Sequence, residues 1–299
     1  MLLMLLLAVT LSGEASAASA RIKAPESIEL FQGDLAELRV LARGATAIQG
    51  LHGKNPLYLF PADRQHFAAL IGADVEAKPG VTKILIRAFA ADGARSERQI
   101  SLTIKPKDFK KESFTVAPSF DEMTPETLAE IERERSAFSR AFASSSSERL
   151  WEGDFLRPVP QAASASSFGF RRIINGVPRA PHSGTDLSSP AGTEVIAPNH
   201  GRVVLVGHFF FAGGSVVLEH GAGLYTMYFH LSDTKVEEGA MVRKGQVIAL
   251  SGMTGRVTGP HLHWGARVGG ARVDPLQLTE KLRGNGKDSA RALASDKEK

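Results

Sequence analysis

Between residues 21 and 106, apolar and polar positions alternate in short runs separated by turn residues. Ser27–Phe31 leads into the turn signal Gln32-Gly33-Asp34, and residues 35–40 then alternate apolar with polar. Further runs cover residues 57–60, 67–71, 82–89 and 98–104, with Lys78-Pro79-Gly80 and Ala91-Asp92-Gly93 as punctuation. Successive strand side chains point to opposite faces, so this alternation reads as strands with one buried face. Several such strands at close, regular spacing predict a small β-sandwich of immunoglobulin-like type.

The pattern changes twice more along the chain. Residues 107–154 form a connector that follows Lys105-Pro106 and begins with the charged run containing Lys107 and Lys110-Lys111-Glu112. Inside it a helix is predicted over about 124–143. Thr124 suits the N-cap, Pro125 the first helical position and Glu126 the positive helix start. Leu128, Ile131, Phe138 and Phe142 then recur at three- and four-residue spacing, an apolar stripe that packs on a neighbour. From 155 to 280 the strand-like runs return, at 193–197, 201–206, 215–220, 224–229 and 246–250, mostly parted by Gly or Pro. This second unit reads as all-β hairpins. Residues 281–299 are polar and charged, with little to bury, and are expected to be disordered.

At the other end, residues 1–11 are nearly all apolar and are followed by Ala15-Ser16-Ala17 and Ala18-Ser19-Ala20. The small residues fit a secretory cleavage site, and the run is too short to span a bilayer as a helix. Residues 1–20 are thus expected to be a signal peptide, although no Lys or Arg precedes the apolar run. That predicts an exported chain, periplasmic or extracellular, with no stable membrane span once the signal is removed.

Composition adds constraints on the chemistry. Of 299 residues 43% are hydrophobic, enough for real cores, and the net charge of +4 is far from a nucleic-acid signature. The chain has no cysteine, which excludes disulfides, thiolate zinc sites and cysteine nucleophiles.

The candidate chemistry lies in three histidine-bearing stretches: His182-Ser183-Gly184-Thr185-Asp186, Tyr228-Phe229-His230-Leu231-Ser232 and Gly259-Pro260-His261-Leu262-His263. His261 and His263, two apart on a strand, face one side and enter one site. Four histidines and one carboxylate suit a borderline metal such as zinc. His182, Asp186 and a nitrogen of the H-x-H pair would make three ligands, leaving the open fourth position that separates catalytic from structural zinc. No Glu lies in these stretches, and the helical H-E-x-x-H signature is absent. The two remaining histidines are the available proton carriers. His52 and His66 have no partner cluster in the sequence, and His200, His208 and His220 read as structural. The apolar Phe209-Phe210-Phe211 is a candidate border for a substrate groove.

Over roughly residues 168–277 the chain resembles the lysostaphin-like (LytM-type) zinc metallopeptidases, family-23 enzymes that cut peptide bonds in bacterial peptidoglycan. The resemblance rests on Phe168-Gly169-Phe170-Arg171, His182-Ser183-Gly184-Thr185-Asp186-Leu187, Pro190-Ala191-Gly192-Thr193, Tyr228-Phe229-His230-Leu231-Ser232, Val242-Arg243-Lys244-Gly245-Gln246 and Gly259-Pro260-His261-Leu262-His263, in family order. It implies a mainly β chain: the N-terminal sandwich, the linker helix and a C-terminal antiparallel catalytic domain of the duplicated hybrid (barrel-sandwich) type. It implies one zinc ion per chain, held by His182, Asp186 and His263. His261 would be the base, with His230 opposite it. The substrate would be peptidoglycan stem peptides or cross-bridges.

Two other classes compete. A regulator of other wall hydrolases would keep an idle site, though such members usually lack ligands that this chain retains. The run Val242-Arg243-Lys244-Gly245-Gln246-Val247 also resembles biotinyl and lipoyl carrier domains. A carrier needs a lysine at its hairpin tip, and Gly252-Met253-Thr254-Gly255 has none.

Overall fold

The structure is a computed structural model that describes residues 20–115, 123–143, 145–162 and 166–282. The expected signal peptide therefore lies outside the described residues, apart from Ala20, and so does the tail from residue 283.

Nine strands build the N-terminal unit: β1 (Arg21–Lys23), β2 (Ser27–Phe31), β3 (Leu35–Arg43), β4 (Ala47–His52), β5 (Asn55–Leu57), β6 (Phe60–Pro61), β7 (His66–Gly72), β8 (Gly80–Phe89) and β9 (Arg95–Lys105). They form two sheets, in orders β1-β3-β7-β6 and β2-β9-β8-β4-β5. Leu38, Val40 and Ile71 of one sheet meet Leu30, Ile84, Ile86, Ile100 and Leu102 of the other in a common core. The alternation of β3 explains this: Leu35, Leu38, Val40 and Ala42 are buried while charged Arg39 and Arg43 are exposed. Residues 57–60, expected as one strand, are two. β5 joins the sheet containing β4 and β6 the sheet containing β7, so the chain crosses between sheets at this point.

The connector holds a strand that its charge concealed. β10 (Lys111–Phe114) pairs in parallel with β11 (Arg171–Ile174), which turns back into β12 (Val177–Pro178). The predicted helix spans Pro125–Ala143. Its cap is as the sequence implies, with the Thr127 N–H donating to the Thr124 hydroxyl at 3.2 Å.

The C-terminal unit comprises β13 (Gly184–Ser188), β14 (Glu194–Ile196), β15 (Gly201–Phe209), β16 (Gly213–Gly221), β17 (Leu224–Thr234), β18 (Met241–Val242), β19 (Val247–Ser251), β20 (His261–Val268) and β21 (Ala271–Val273). Its main path is β13-β20-β17-β16-β15-β18, and β19 pairs with both β14 and β17. Every residue of β16 is buried. One face, through Val216 and Leu218, enters the main core with Leu187, Leu262 and Trp264. The other, through Val217, packs with Leu205, Phe209, Tyr225 and Met227 under Ala137, Phe138 and Phe142 of the helix.

The two units share their core. Leu35, Phe60, Ala68 and Leu70 of the N-terminal sheets join Trp151, Val273 and Leu278. Arg272 donates to both carboxylate oxygens of Asp74, at 2.6 and 2.9 Å. The Gln277 side chain accepts from the Leu35 N–H at 3.0 Å and donates to Asp34 at 2.7 Å. Gln277 lies on a short helix, Leu276–Lys281, followed by the buried Leu282. Residues 281 and 282, expected in the disordered tail, therefore close this junction.

Candidate metal centre

Strand register brings the donors together. On the β13–β20 ladder Asp186 lies opposite His263, and on the β17–β20 ladder Phe229 lies opposite His263. Directly paired residues present their side chains on the same face, so the carboxylate meets the imidazole across the ladder. His182 precedes β13 in a loop pinned at several points. Its N–H donates to the Phe170 carbonyl and its carbonyl accepts from Gly169. Its ring Nδ1–H donates to the Ser167 carbonyl at 2.9 Å, which leaves Nε2 with a free lone pair.

That lone pair points at two other donor atoms. His182 Nε2 lies 2.9 Å from His263 Nδ1 and 3.1 Å from Asp186 Oδ1, and His263 Nδ1 lies 2.9 Å from Asp186 Oδ1. One proton cannot satisfy three mutually close acceptors, whereas one cation can. Tetrahedral zinc with bonds of about 2.0–2.1 Å has donor-to-donor edges of about 3.4 Å, so a small outward movement admits the ion. Among the described residues no other trio of histidine or carboxylate donors converges in this way. His182 and His263 are buried and Asp186 half-buried, as a water-restricted metal site requires.

The electrostatics agree with this reading. Burial alone would raise the Asp186 carboxyl, but the adjoining His182 and His263 imidazoles outweigh it and hold the group far below the usual range. Burial pushes His263 down to about 4, against the opposing pull of Asp186. Both groups therefore stand ready as deprotonated donors. On the outer side of Asp186, Arg172 Nη2 lies 3.5 Å from Oδ2.

His261 and His230 stand beside the trio with matching polarity. His261 Nδ1–H donates to the Gly259 carbonyl at 2.9 Å, and its Nε2 lies 3.6 Å from Asp186 Oδ1. His230 Nδ1–H donates to the Thr254 carbonyl at 3.0 Å. In each neutral ring the proton is held on Nδ1, so Nε2 is the basic atom. The two rings are 4.9 Å apart, and His230 is 6.0 Å from His263. His230 has φ +64°, a left-handed conformation that costs a non-glycine residue. Phe229 and His230 would otherwise point to opposite faces; the left-handed turn lets His230 approach the site that Phe229 also faces. The Ala212 carbonyl holds the strained residue in place by accepting its N–H at 2.8 Å. Burial, reinforced by the neighbouring His263 and His261, lowers His230 to about 4, so it is neutral at neutral pH.

The remaining histidines have other partners. His52 bonds Thr82, and His66 bonds Asp63 at the surface. His220 is fully buried, donating to the His200 carbonyl at 2.7 Å and sharing a bond with Thr226. His208 is exposed on β15. Of the three phenylalanines 209–211, Phe209 packs under the helix while Phe211 is exposed beside Arg256. Sequence reasoning did not single out Arg172, Phe229 or the carbonyls of Ser167, Thr254 and Gly259. Carbonyl contacts carry no residue signature, but an arginine directly after Phe-Gly-Phe-Arg was visible and could have been flagged.

Comparison with known proteins decides the family. Residues 180–275 match the profile of Peptidase family M23. A crystal structure of a peptidase M23 from Pseudomonas aeruginosa superposes with TM-score 0.64 at 30% identity, covering 83% of this chain and 94% of that one. The chain belongs to peptidase family M23. It resembles the peptidoglycan DD-endopeptidase ShyA of Vibrio cholerae, 41% identical over 137 residues, 45% of this chain and 32% of that protein. It also resembles the DD-carboxypeptidase/endopeptidase Mpg of Neisseria meningitidis, 37% identical over 123 residues, 41% of this chain and 28% of that protein. The match to these two M23 relatives thus spans about a third of their own length.

Proposed function

We propose that this chain is a zinc-dependent endopeptidase that hydrolyses peptide cross-links of peptidoglycan in the bacterial cell envelope. The observation that carries the proposal is the convergence of His182 Nε2, Asp186 Oδ1 and His263 Nδ1 beside two imidazoles that hold their protons on Nδ1. Zinc, when bound, supplies Lewis acidity and brings deprotonation of water close to neutral pH. His182, Asp186 and His263 would hold it. His261 Nε2, next to Asp186, takes the proton of the attacking water as general base. That proton then passes to the amine as the amide breaks, with His230 Nε2, on the adjoining strand, sharing in the transfer. The relatives named for action on peptidoglycan support the substrate class and an exported location. Among the described residues no helix is long and apolar enough to cross a membrane. The strand orders of the N-terminal sandwich support the immunoglobulin-like reading, with residues 21–106 as a module before the peptidase.

The test is metal analysis of the purified protein beside release of muropeptides from purified sacculi. One zinc per chain and chelator-sensitive release are expected. A metal-free protein, or release that survives removal of the metal, would overturn the proposal.

A further inference from the structure

We propose that Phe138, on the helix that precedes the peptidase unit, is a positioning residue for the metal ligand His263, acting through Phe229. The inference rests on His263 being a ligand and extends that reading to a segment outside residues 180–275. His263 offers Nδ1, which lies in the ring plane, so the donor direction depends on rotation of the ring about χ2. That torsion is broad in histidine, and packing rather than a rotamer well must set it.

The packing is specific. The Phe229 ring lies parallel to the His263 ring, 4° between planes and 5.4 Å between centroids. The His182 ring also lies against this imidazole, 4.7 Å away and tilted by 65°. Phe229 is held in turn by Phe138, edge to face at 82° and 5.8 Å. Phe138 also touches Phe209 at 4.7 Å, and Phe142 one turn later packs on Tyr225 at 5.3 Å. The helix cannot slide easily, because the Arg267 guanidinium lies 4.5 Å over Phe142 and Glu134 accepts from the Phe210 N–H at 2.7 Å. A run of aromatic rings therefore connects the helix to the donor atom. Phe138→Ala would leave Phe229 free to tilt, and with it the imidazole plane.

The experiment uses the full chain loaded with zinc and titrated against a competing chelator, with kcat and KM measured on soluble muropeptides. Phe138→Ala should bind zinc about tenfold more weakly, the lower range for loss of a group that orients a ligand. Its kcat should fall with little change in KM. The cobalt-substituted variant should show a shifted visible absorption band, since the donor geometry alters. Phe138→Leu, which keeps an apolar contact, should recover most of the affinity. Ser139→Gly, an exposed change that loosens the same helix without touching Phe229, should bind zinc like the parent chain. Unchanged zinc affinity in Phe138→Ala would overturn the inference. So would equal weakening in Ser139→Gly, because helix stability rather than the ring contact would then be at work. If the parent chain itself takes up no zinc, the metal reading falls, and this inference with it.

Discussion

Asp186 and His263 face each other on neighbouring antiparallel strands, with Oδ1 and Nδ1 2.9 Å apart, although 77 residues separate them in the chain. The same ladder sets Ser188 opposite His261, so both histidines of the H-x-H pair border one carboxylate.

This arrangement divides the five site residues by role. His182→Ala, Asp186→Ala and His263→Ala should each lose zinc and activity together. His261→Ala and His230→Ala should retain zinc and lose about 10²–10⁴-fold in turnover, the usual contribution of positioned proton transfer. Metal content measured beside muropeptide release checks this. Zinc loss in His261→Ala with retention in His263→Ala would reverse the assignment.

Gly184 lies against the back of the His263 ring. A Cβ there would meet His263 Nε2 at 2.5 Å and the Trp264 carbonyl at 2.5 Å. Because the carbonyl is backbone, β13 must shift from β20 at this point as well as the imidazole moving. Gly184→Ala is expected to be less stable than the parent chain and, in its folded fraction, to lose most of its zinc affinity. Isothermal titration with zinc checks it, and wild-type affinity in a folded Gly184→Ala protein would contradict it.

His220 should make stability fall with acid. Burial lowers its folded pKa to about 4, while an exposed histidine titrates near 6.5. The unfolded chain therefore binds the proton first. Stability from this group is full above about pH 6.5 and is lost as the pH falls toward 4, by on the order of 3 kcal/mol at about 1.4 kcal/mol per unit. Denaturant unfolding of the metal-free parent and of His220→Gln isolates it, since both share every other histidine. The stability gap should be widest at pH 7 and narrow by pH 4.5; a gap independent of pH would refute the assignment.

The junction of the two units depends on Arg272 and Asp74. Their paired hydrogen bonds are partly exposed, so the charge itself is screened, and the fixed geometry matters more. Arg272→Ala should destabilise the chain by about 1–3 kcal/mol, the cost of leaving a half-buried carboxylate without its partner. It should leave zinc content unchanged. Thermal unfolding with metal analysis checks both expectations.

Much of this protein was legible along the chain, because the relevant signals are local. Period-two alternation marked most of the strands, and Thr124-Pro125-Glu126 marked the helix start. The spacing of His261 and His263 placed two imidazoles on one face before any partner was known. What lay beyond reach depended on contacts between distant segments. β10 is highly charged and gains its strand identity from parallel pairing with β11, some 60 residues later. Residues 57–60 split because the two sheets compete for them. The ring of His230 reaches the site through a left-handed backbone turn that no propensity encodes, since the Ala212 carbonyl and the loop around Thr254 hold it there. The apolar stripe of the helix showed that it packs on something. Only the fold decided that its partner is the ring stacked on His263, because burial selects a partner by shape and register rather than by sequence distance.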